Sequence, residues 1–290
     1  MAFLFGGDRM YLSILGTMSN VGKSTLTTVL CNYFTKKGFN VVPFKAQNMS
    51  QKYITIQNGN GKIAIAQYIQ SIACRKEPLM EYNPILLLPG NGKIEVLFMG
   101  KPVGAISSKE YMYSTKERLF NEVKNILVRL EEEHDLVIIE GAGAAIEPNL
   151  KDSEIVNMRI AASVGANVIL VADISKGGAF AQIAGTIELM DQKERALVRG
   201  FIFNKFYGDK TLLKDAPEKL ANRYKIEYLG TIPYFENNLP DEDVLKIKEN
   251  EISLANKERL IEEIDKITEH VTEHIDIQKI EQMLFKEMKK

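Results

Sequence analysis

The strand-like run Tyr11–Leu15 opens into Gly16-Thr17-Met18-Ser19-Asn20-Val21-Gly22-Lys23-Ser24-Thr25, and a helical pattern follows at once. A glycine-rich loop between a strand and a helix brings backbone N–H groups and a helix N-terminus together on phosphate oxygens. Thr17, Ser19, Asn20, Val21, Gly22, Lys23, Ser24 and Thr25 thus form a candidate nucleotide-phosphate cradle. Lys23 is suited to reach the β- and γ-phosphates, and the Ser24 hydroxyl to join a Mg²⁺ shell. Five residues separate Gly16 from Gly22, one more than the strict pattern allows, and Thr17 stands where a glycine is usual.

Two further strings place charge where such a loop needs it. The apolar run Leu136–Ile139 delivers Glu140 at its C-terminal end, just before Gly141-Ala142-Gly143. The carboxyl edge of a parallel sheet is where ligands bind, and a carboxylate there can hold Mg²⁺ directly or through water. Gly141 and Gly143 leave room for a phosphate or a substrate. Val42-Pro43-Phe44 ends in Lys45, an ammonium suited to neutralise charge that develops on a transferred phosphoryl group. Gln47 and Asn48 follow with amide donors and acceptors. The strings Gly59–Lys62 and Gly90–Lys93 lack both the strand–loop–helix setting and the hydroxyl after lysine, and read as turns.

The elements that must position these groups alternate between short apolar strands and longer helical patterns. Strands are expected at Tyr11–Leu15, Asn40–Phe44, Ile85–Leu88, Ile94–Phe98, Leu136–Ile139, Val168–Ala172, Gly200–Phe203 and Tyr228–Ile232. Helices are expected over Lys23–Lys36, from Ile63 to Ala73, and over Ser108–Glu133. Strands of continuous apolar character, separated by crossover helices, indicate an α/β fold: a mostly parallel sheet covered by helices on both faces. Beyond Pro240 the composition turns to Glu, Lys and Ile, and two amphipathic helices are expected around Leu260–Val271 and Ile277–Leu284. This divides the chain into a P-loop-bearing α/β domain, 1–243, and a helical tail, 244–290. The tail packs on the main domain or offers a docking surface.

Composition narrows the chemistry. In 290 residues, 37 Lys and Arg balance 38 Asp and Glu, so no global field draws the chain to nucleic acid or an anionic membrane. Cys31 and Cys74 cannot build a disulfide framework or a Cys-x-x-Cys zinc site, and they suit a cytoplasmic protein. His134, His270 and His274 are too few for a His-rich metal centre and argue against a His-centred triad. Met1–Arg9 is a poor signal peptide and no apolar run spans a bilayer. The chemistry falls to lysines, carboxylates and amides.

These motifs, in this order, resemble the P-loop family of dethiobiotin synthetase, and within it the N-terminal synthetase domain of the cobyric acid synthases. The resemblance rests on Lys45-Ala46-Gln47-Asn48-Met49, Tyr82-Asn83-Pro84-Ile85-Leu86-Leu87, Glu140–Gly143 with Glu147–Asp152, and Ile155-Val156-Asn157-Met158. It continues through Leu170–Ala181, Gly200–Phe206 and Leu239–Asp243. It implies that ATP, with Mg²⁺ at Ser24 and Glu140, phosphorylates a carboxylate of a corrinoid-like acid, and that ammonia converts the acyl phosphate to an amide. Lys23, Lys45 and Glu140 would then be catalytic, and Asn204 would read the adenine edge. Gln47, Asn48, Gly141, Gly143, Asn149 and Asp173 would serve the substrate, with Asp173 and Gly177-Gly178 near it or at a homodimer contact.

The sequence departs from that family in its substrate half. The family's Glu-Ile-Gly-Arg-Ala-Gln reads Lys62-Ile63-Ala64-Ile65-Ala66-Gln67 here, and its Lys-Pro reads Leu88-Pro89. No glutaminase pattern follows Asp243, so ammonia is expected free or from a separate glutaminase subunit. Two other readings share the motifs: a dethiobiotin synthetase-like carboxylating ligase, and an ATP-binding switch or scaffold without small-molecule turnover.

Overall fold

A computed structural model describes residues 10–285 except 51, 57–60, 91–92, 107–115, 152–153 and 240–256. In chain order the first elements are β1 (Tyr11–Gly16), α1 (Lys23–Lys36), β2 (Val41–Phe44), β3 (Gln47–Met49), β4 (Tyr53–Ile56), β5 (Gly61–Ala64) and α2 (Ile65–Ala73). The middle of the chain supplies β6 (Ile85–Gly90), β7 (Lys93–Phe98), β8 (Lys101–Ile106), α3 (Lys116–Glu132), β9 (Leu136–Glu140), α4 (Met158–Val164) and β10 (Asn167–Asp173). The remainder is α5 (Ala179–Leu189), α6 (Gln192–Arg195), β11 (Val198–Phe206), α7 (Ala216–Tyr224), β12 (Glu227–Pro233), α8 (Lys257–Thr272) and α9 (Ile277–Phe285).

Six strands form one sheet in the order β12-β11-β10-β1-β9-β2, and every neighbouring pair is parallel. Successive residues of a strand face opposite sides, so β1 divides its side chains between two apolar layers. Tyr11 and Leu15 pack with Val123, Leu127, Ile160 and Ile183 of α3, α4 and α5. Leu12 and Ile14 pack with Leu26, Val29 and Leu30 of α1 and with Ile69 and Ile72 of α2. The expected architecture is present, and all six strands end on one edge.

A second sheet, β3-β6-β7-β8, carries a parallel β3–β6 pair followed by an antiparallel meander, and β4 pairs with β5 as a hairpin. Sequence patterning anticipates β6 and β7 only. β3 is the polar triplet Gln47-Asn48-Met49, and β8 contains Pro102 and Gly104, so neither displays a strand signature. One expectation is corrected here. Gly61 and Lys62, read as a turn, lie in β5 opposite Ile56 and Thr55. Gly90 and Lys93 do face each other across the β6–β7 hairpin, as a turn requires. The part of the expected 108–133 helix before 116 lies outside the described residues.

The C-terminal helices complete the layer that covers α1. Ile264, Ile267, Val271, Ile280 and Leu284 are buried in the same apolar cluster as Val29, Leu30 and Phe34. Buried Asn32 on α1 donates to Asp265 (2.8 Å) and to Thr268 (2.9 Å) of α8. The Tyr33 hydroxyl donates to Glu281 (2.9 Å) on α9, and Phe39 stacks on Phe285 at 5.0 Å. Gly230 of β12 bridges Ile275 between the two helices; its φ is +129°, and a Cβ there would stand 2.4 Å from the His274 carbonyl oxygen. The apolar faces of α8 and α9 are therefore committed to α1 and β12, leaving Glu258, Arg259, Glu262, Lys266 and Glu269 outward. Among the described residues no helix is long and apolar enough to cross a membrane.

Ile264 is fully buried at the α8–α1 seam. Ile264→Ala should lower unfolding free energy by about 2–5 kcal/mol, from lost transfer energy plus the cavity left behind. Denaturant unfolding measures it; a change under about 0.5 kcal/mol, the surface-substitution range, would mean that α8 is not part of the core.

Candidate functional site

The loop from Gly16 to Gly22 closes over the N-terminus of α1. Asn20 (φ +58°) and Gly22 (φ +101°) take left-handed conformations that turn the backbone inward. Gly22 has a second constraint, because a Cβ on it would come 2.1 Å from the Asn204 amide nitrogen. The loop is held from two strands. At the end of β11, the Asn204 amide donates to the Val21 carbonyl (2.8 Å), and the Lys205 ammonium reaches the Asn20 carbonyl (2.5 Å) and Asp173 (3.4 Å) at the end of β10. On the other side, the Thr17 hydroxyl donates to Gln182 of α5 (2.9 Å), and the Thr17 N–H donates to Val171.

Glu140, at the tip of β9, is fully buried and receives four side-chain donors. Its Oε1 accepts from the Ser24 hydroxyl (2.7 Å) and the Lys45 ammonium (2.8 Å). Its Oε2 accepts from the Gln70 amide (2.5 Å) and the Gln67 amide (3.2 Å). Burial pushes the carboxyl pKa up, but the Lys45 charge and the bonds from Lys45, Ser24 and Gln70 outweigh it, so the group sits below its ordinary value of 4.5. It is ionised at neutral pH. Taking a carboxylate and an ammonium out of water costs several kcal/mol per ion, which only close pairing and full hydrogen bonding offset.

Lys23 lies 7 % exposed beside this pair, and its ammonium donates to the Met18 (3.0 Å) and Gly143 (2.9 Å) carbonyls. Burial lowers its pKa to about 8; Glu140 opposes that shift and Lys45 reinforces it. The Gly143 contact ties Lys23 to the turn after β9. Asn157, 5 % exposed, braces that turn: its carbonyl oxygen accepts from Ala142 N–H (2.9 Å), and its amide donates to the Ala142 and Ala144 carbonyls (2.8 Å each). Glu154 caps the start of α4 through the N–H groups of Val156, Asn157 and Arg159.

Above these groups opens a cavity of about 1360 Å³. Of the residues singled out in the sequence, Ser19, Asn20, Gly22, Lys23, Ser24, Thr25, Lys45, Asn48, Glu140, Gly143 and Asn204 line it. Thr17, Val21, Gly141 and Asp173 stand behind the lining as supports, with Asp173 accepting from Ser175 (2.6 Å) as well as Lys205. Gln47, on β3, is half-buried and also outside the lining; Asn149 is exposed. The far wall is the run Pro233–Leu239, with Tyr234 stacked on Tyr207 at 4.6 Å. Asn204, which the family resemblance makes an adenine reader, spends its amide on Val21 and accepts the Lys205 N–H (2.9 Å). Among the described residues no three His, Cys, Asp or Glu side chains converge on a metal site.

Sequence reasoning missed Gln67, Gln70, Asn157, Gln182 and Lys205. Gln67 and Gln70 left a trace: two amides three apart on a helix whose other buried positions are Ile65, Ala66, Ile69, Ser71, Ile72 and Ala73. A polar pair on an apolar face needs a buried partner.

Comparison with known proteins gives a consistent family. Residues 12–247 match the family described as the CobQ/CobB/MinD/ParA nucleotide binding domain. A probable cobyric acid synthase of Thermococcus kodakarensis is 54% identical over 235 residues, covering 81% of this chain and 48% of that protein. The cobyric acid synthase of Pelotomaculum thermopropionicum is 42% identical over 240 residues, covering 82% and 46% respectively. The chain thus spans about half the length of the curated relatives it matches. Among solved structures, the cell division ATPase MinD of Pyrococcus furiosus aligns over 92% of this chain and 99% of its own at 12% identity, with a TM-score of 0.43.

The low Lys23 pKa carries a stability signature. Its ordinary value is 10.5 and its folded value about 8, so between those pH values the unfolded chain binds the extra proton. Stability contributed through this group is therefore flat below pH 8 and rises as pH increases towards 10.5, by about 3 kcal/mol in all. Denaturant unfolding of the protein against Lys23→Met should show this difference growing with pH. A difference independent of pH would mean that Lys23 is not desolvated.

Proposed function

The chain belongs to the CobQ/CobB/MinD/ParA nucleotide-binding domain family, and from that premise we propose that it uses ATP to activate a corrinoid carboxylate for amide formation. The naming of its relatives as cobyric acid synthases supports the substrate class. The observation that carries the chemistry is the buried Lys45–Glu140–Ser24 cluster at the carboxyl ends of β2 and β9, with Lys23 beside it.

In this reading the N–H groups from Asn20 to Thr25 and the α1 N-terminus cradle the phosphates. Lys23 exchanges its two carbonyl contacts for phosphate oxygens, where a proton that burial has loosened is held by the added negative charge. Ser24 Oγ and Glu140 Oε1, hard oxygen donors 2.7 Å apart on the cavity wall, fit Mg²⁺. A Mg²⁺ ion held there would offset charge between the β- and γ-phosphates. Lys45 lies where it can stabilise the charge that builds on the phosphoryl group in flight. The carboxylate oxygen bonds to the γ-phosphorus as the bond to ADP breaks. Ammonia then attacks the acyl carbon, phosphate leaves with its bond pair, and a proton is lost to give the amide. The cavity is large for a nucleotide alone, which suits a second, bulky substrate, and Asn48 and Met49 line its opposite wall from Asn204. Ammonia enters free or from a separate glutaminase.

The test is turnover of ATP by the chain with Mg²⁺, ammonium and a corrinoid bearing free peripheral carboxylates. ATP consumption should rise with the corrinoid and match the amide formed. Lys45→Gln keeps a donor on Glu140 but removes the charge, and should lower turnover by about a hundredfold with ATP affinity nearly unchanged. No stimulation by any corrinoid or related tetrapyrrole acid would contradict the reading.

A further inference from the structure

Glu140 Oε1 accepts from Ser24 and Lys45, which line the cavity, while its other oxygen is held by two residues of a single helix that stand outside the lining. Gln67 and Gln70 are both fully buried on α2 and lie one helical turn apart, so their side chains share a face. Both amides direct N–H₂ at Glu140 Oε2, at 3.2 and 2.5 Å. The orientation follows from charge. Glu140 is ionised and offers no proton, so each amide must present its nitrogen and turn its oxygen away. The outward oxygens are themselves received: Gln67 Oε1 accepts from Asn48 (3.0 Å), and Gln70 Oε1 accepts from Gln67 (3.4 Å). The network therefore runs without a break from Asn48 on the cavity wall, through α2, to Ser24 and Lys45.

We propose that Gln67 and Gln70 are positioning residues that aim Glu140, fixing its carboxylate so that Oε1 alone faces the nucleotide–metal position. This rests on the function proposed above. Gln67 and Gln70 hold Oε2 from the protein side, which disfavours the bidentate alternative and fixes the rotation of the carboxylate plane. Ser24 and Lys45 then converge on one oxygen rather than being shared between two. Removing an amide frees the carboxylate to rotate and leaves a lone pair of Oε2 without a buried partner. A ligand's outer partners commonly govern metal affinity in this way, by about ten- to a hundredfold.

The experiment is calorimetric titration of ATP into the protein, once in EDTA and once in saturating Mg²⁺, for the parent chain, Gln70→Met and Gln67→Met, with a thermal midpoint for each. Methionine preserves volume and removes the donor. The parent should bind ATP more tightly with Mg²⁺ than without. In Gln70→Met that Mg²⁺-dependent gain should fall by about tenfold, with the affinity in EDTA unchanged. Gln67→Met, which loses the longer bond, should show a smaller fall in the same quantity. An unchanged Mg²⁺-dependent gain in both variants, or equal losses with and without Mg²⁺, would overturn the proposal and leave the glutamines as core packing. So would unfolding of both variants. If the parent itself shows no Mg²⁺-dependent gain, the failure belongs to the site reading, and the positioning role falls with it.

Discussion

A carboxylate with no water around it has to be matched atom by atom, and the Glu140 side chain is the point from which the site is organised. Its four donors come from three places in the chain: Ser24 at the start of α1, Lys45 after β2, and Gln67 and Gln70 on α2. None of these elements can shift far without leaving an uncompensated charge in a medium where that costs several kcal/mol. The sheet order makes the convergence possible, because β9 lies between β1 and β2 and presents Glu140 between the loops that follow them.

The Gly16–Gly22 loop has its own supports on the opposite side. Asn204 and Lys205 hold the Val21 and Asn20 carbonyls from β11, and Lys205 is steadied by Asp173 from β10. Asn157 fixes the turn that gives Lys23 one of its two acceptors. Ends of β1, β2, β9, β10 and β11 thus each contribute a strut, and the C-terminal helices back α1 from behind through Asn32. A rigid surround of this kind suits electrostatic catalysis, in which donors must already point at the charge before it forms.

How much of this was legible in the sequence follows from the range over which each signal acts. The strand–loop–helix around Lys23 is local, and α1 begins and ends on the residues that its pattern marked. Lys45 and Glu140 were legible because a short apolar run ending in a charge announces a sheet edge. The second sheet was not, since β3 and β8 obtain their pairing from tertiary neighbours rather than from β-branched runs. Gln67, Gln70 and Asn157 were missed for a related reason: an amide gains meaning only from the buried group it meets. The C-terminal helices announced their apolar stripes, but not that those stripes would be used up on α1.

Phosphoryl transfer to a carboxylate, as proposed for this site, leaves a mark on the path of oxygen. A corrinoid acid carrying heavy oxygen in its free carboxylates would be turned over with ATP, Mg²⁺ and ammonium, and the released phosphate analysed by mass. Carboxylate activation predicts one heavy oxygen in the phosphate for every amide formed, because the acyl phosphate breaks between carbon and the labelled oxygen. Phosphate without label, alongside unchanged corrinoid, would contradict it and leave a nucleotide-binding domain whose hydrolysis serves another end.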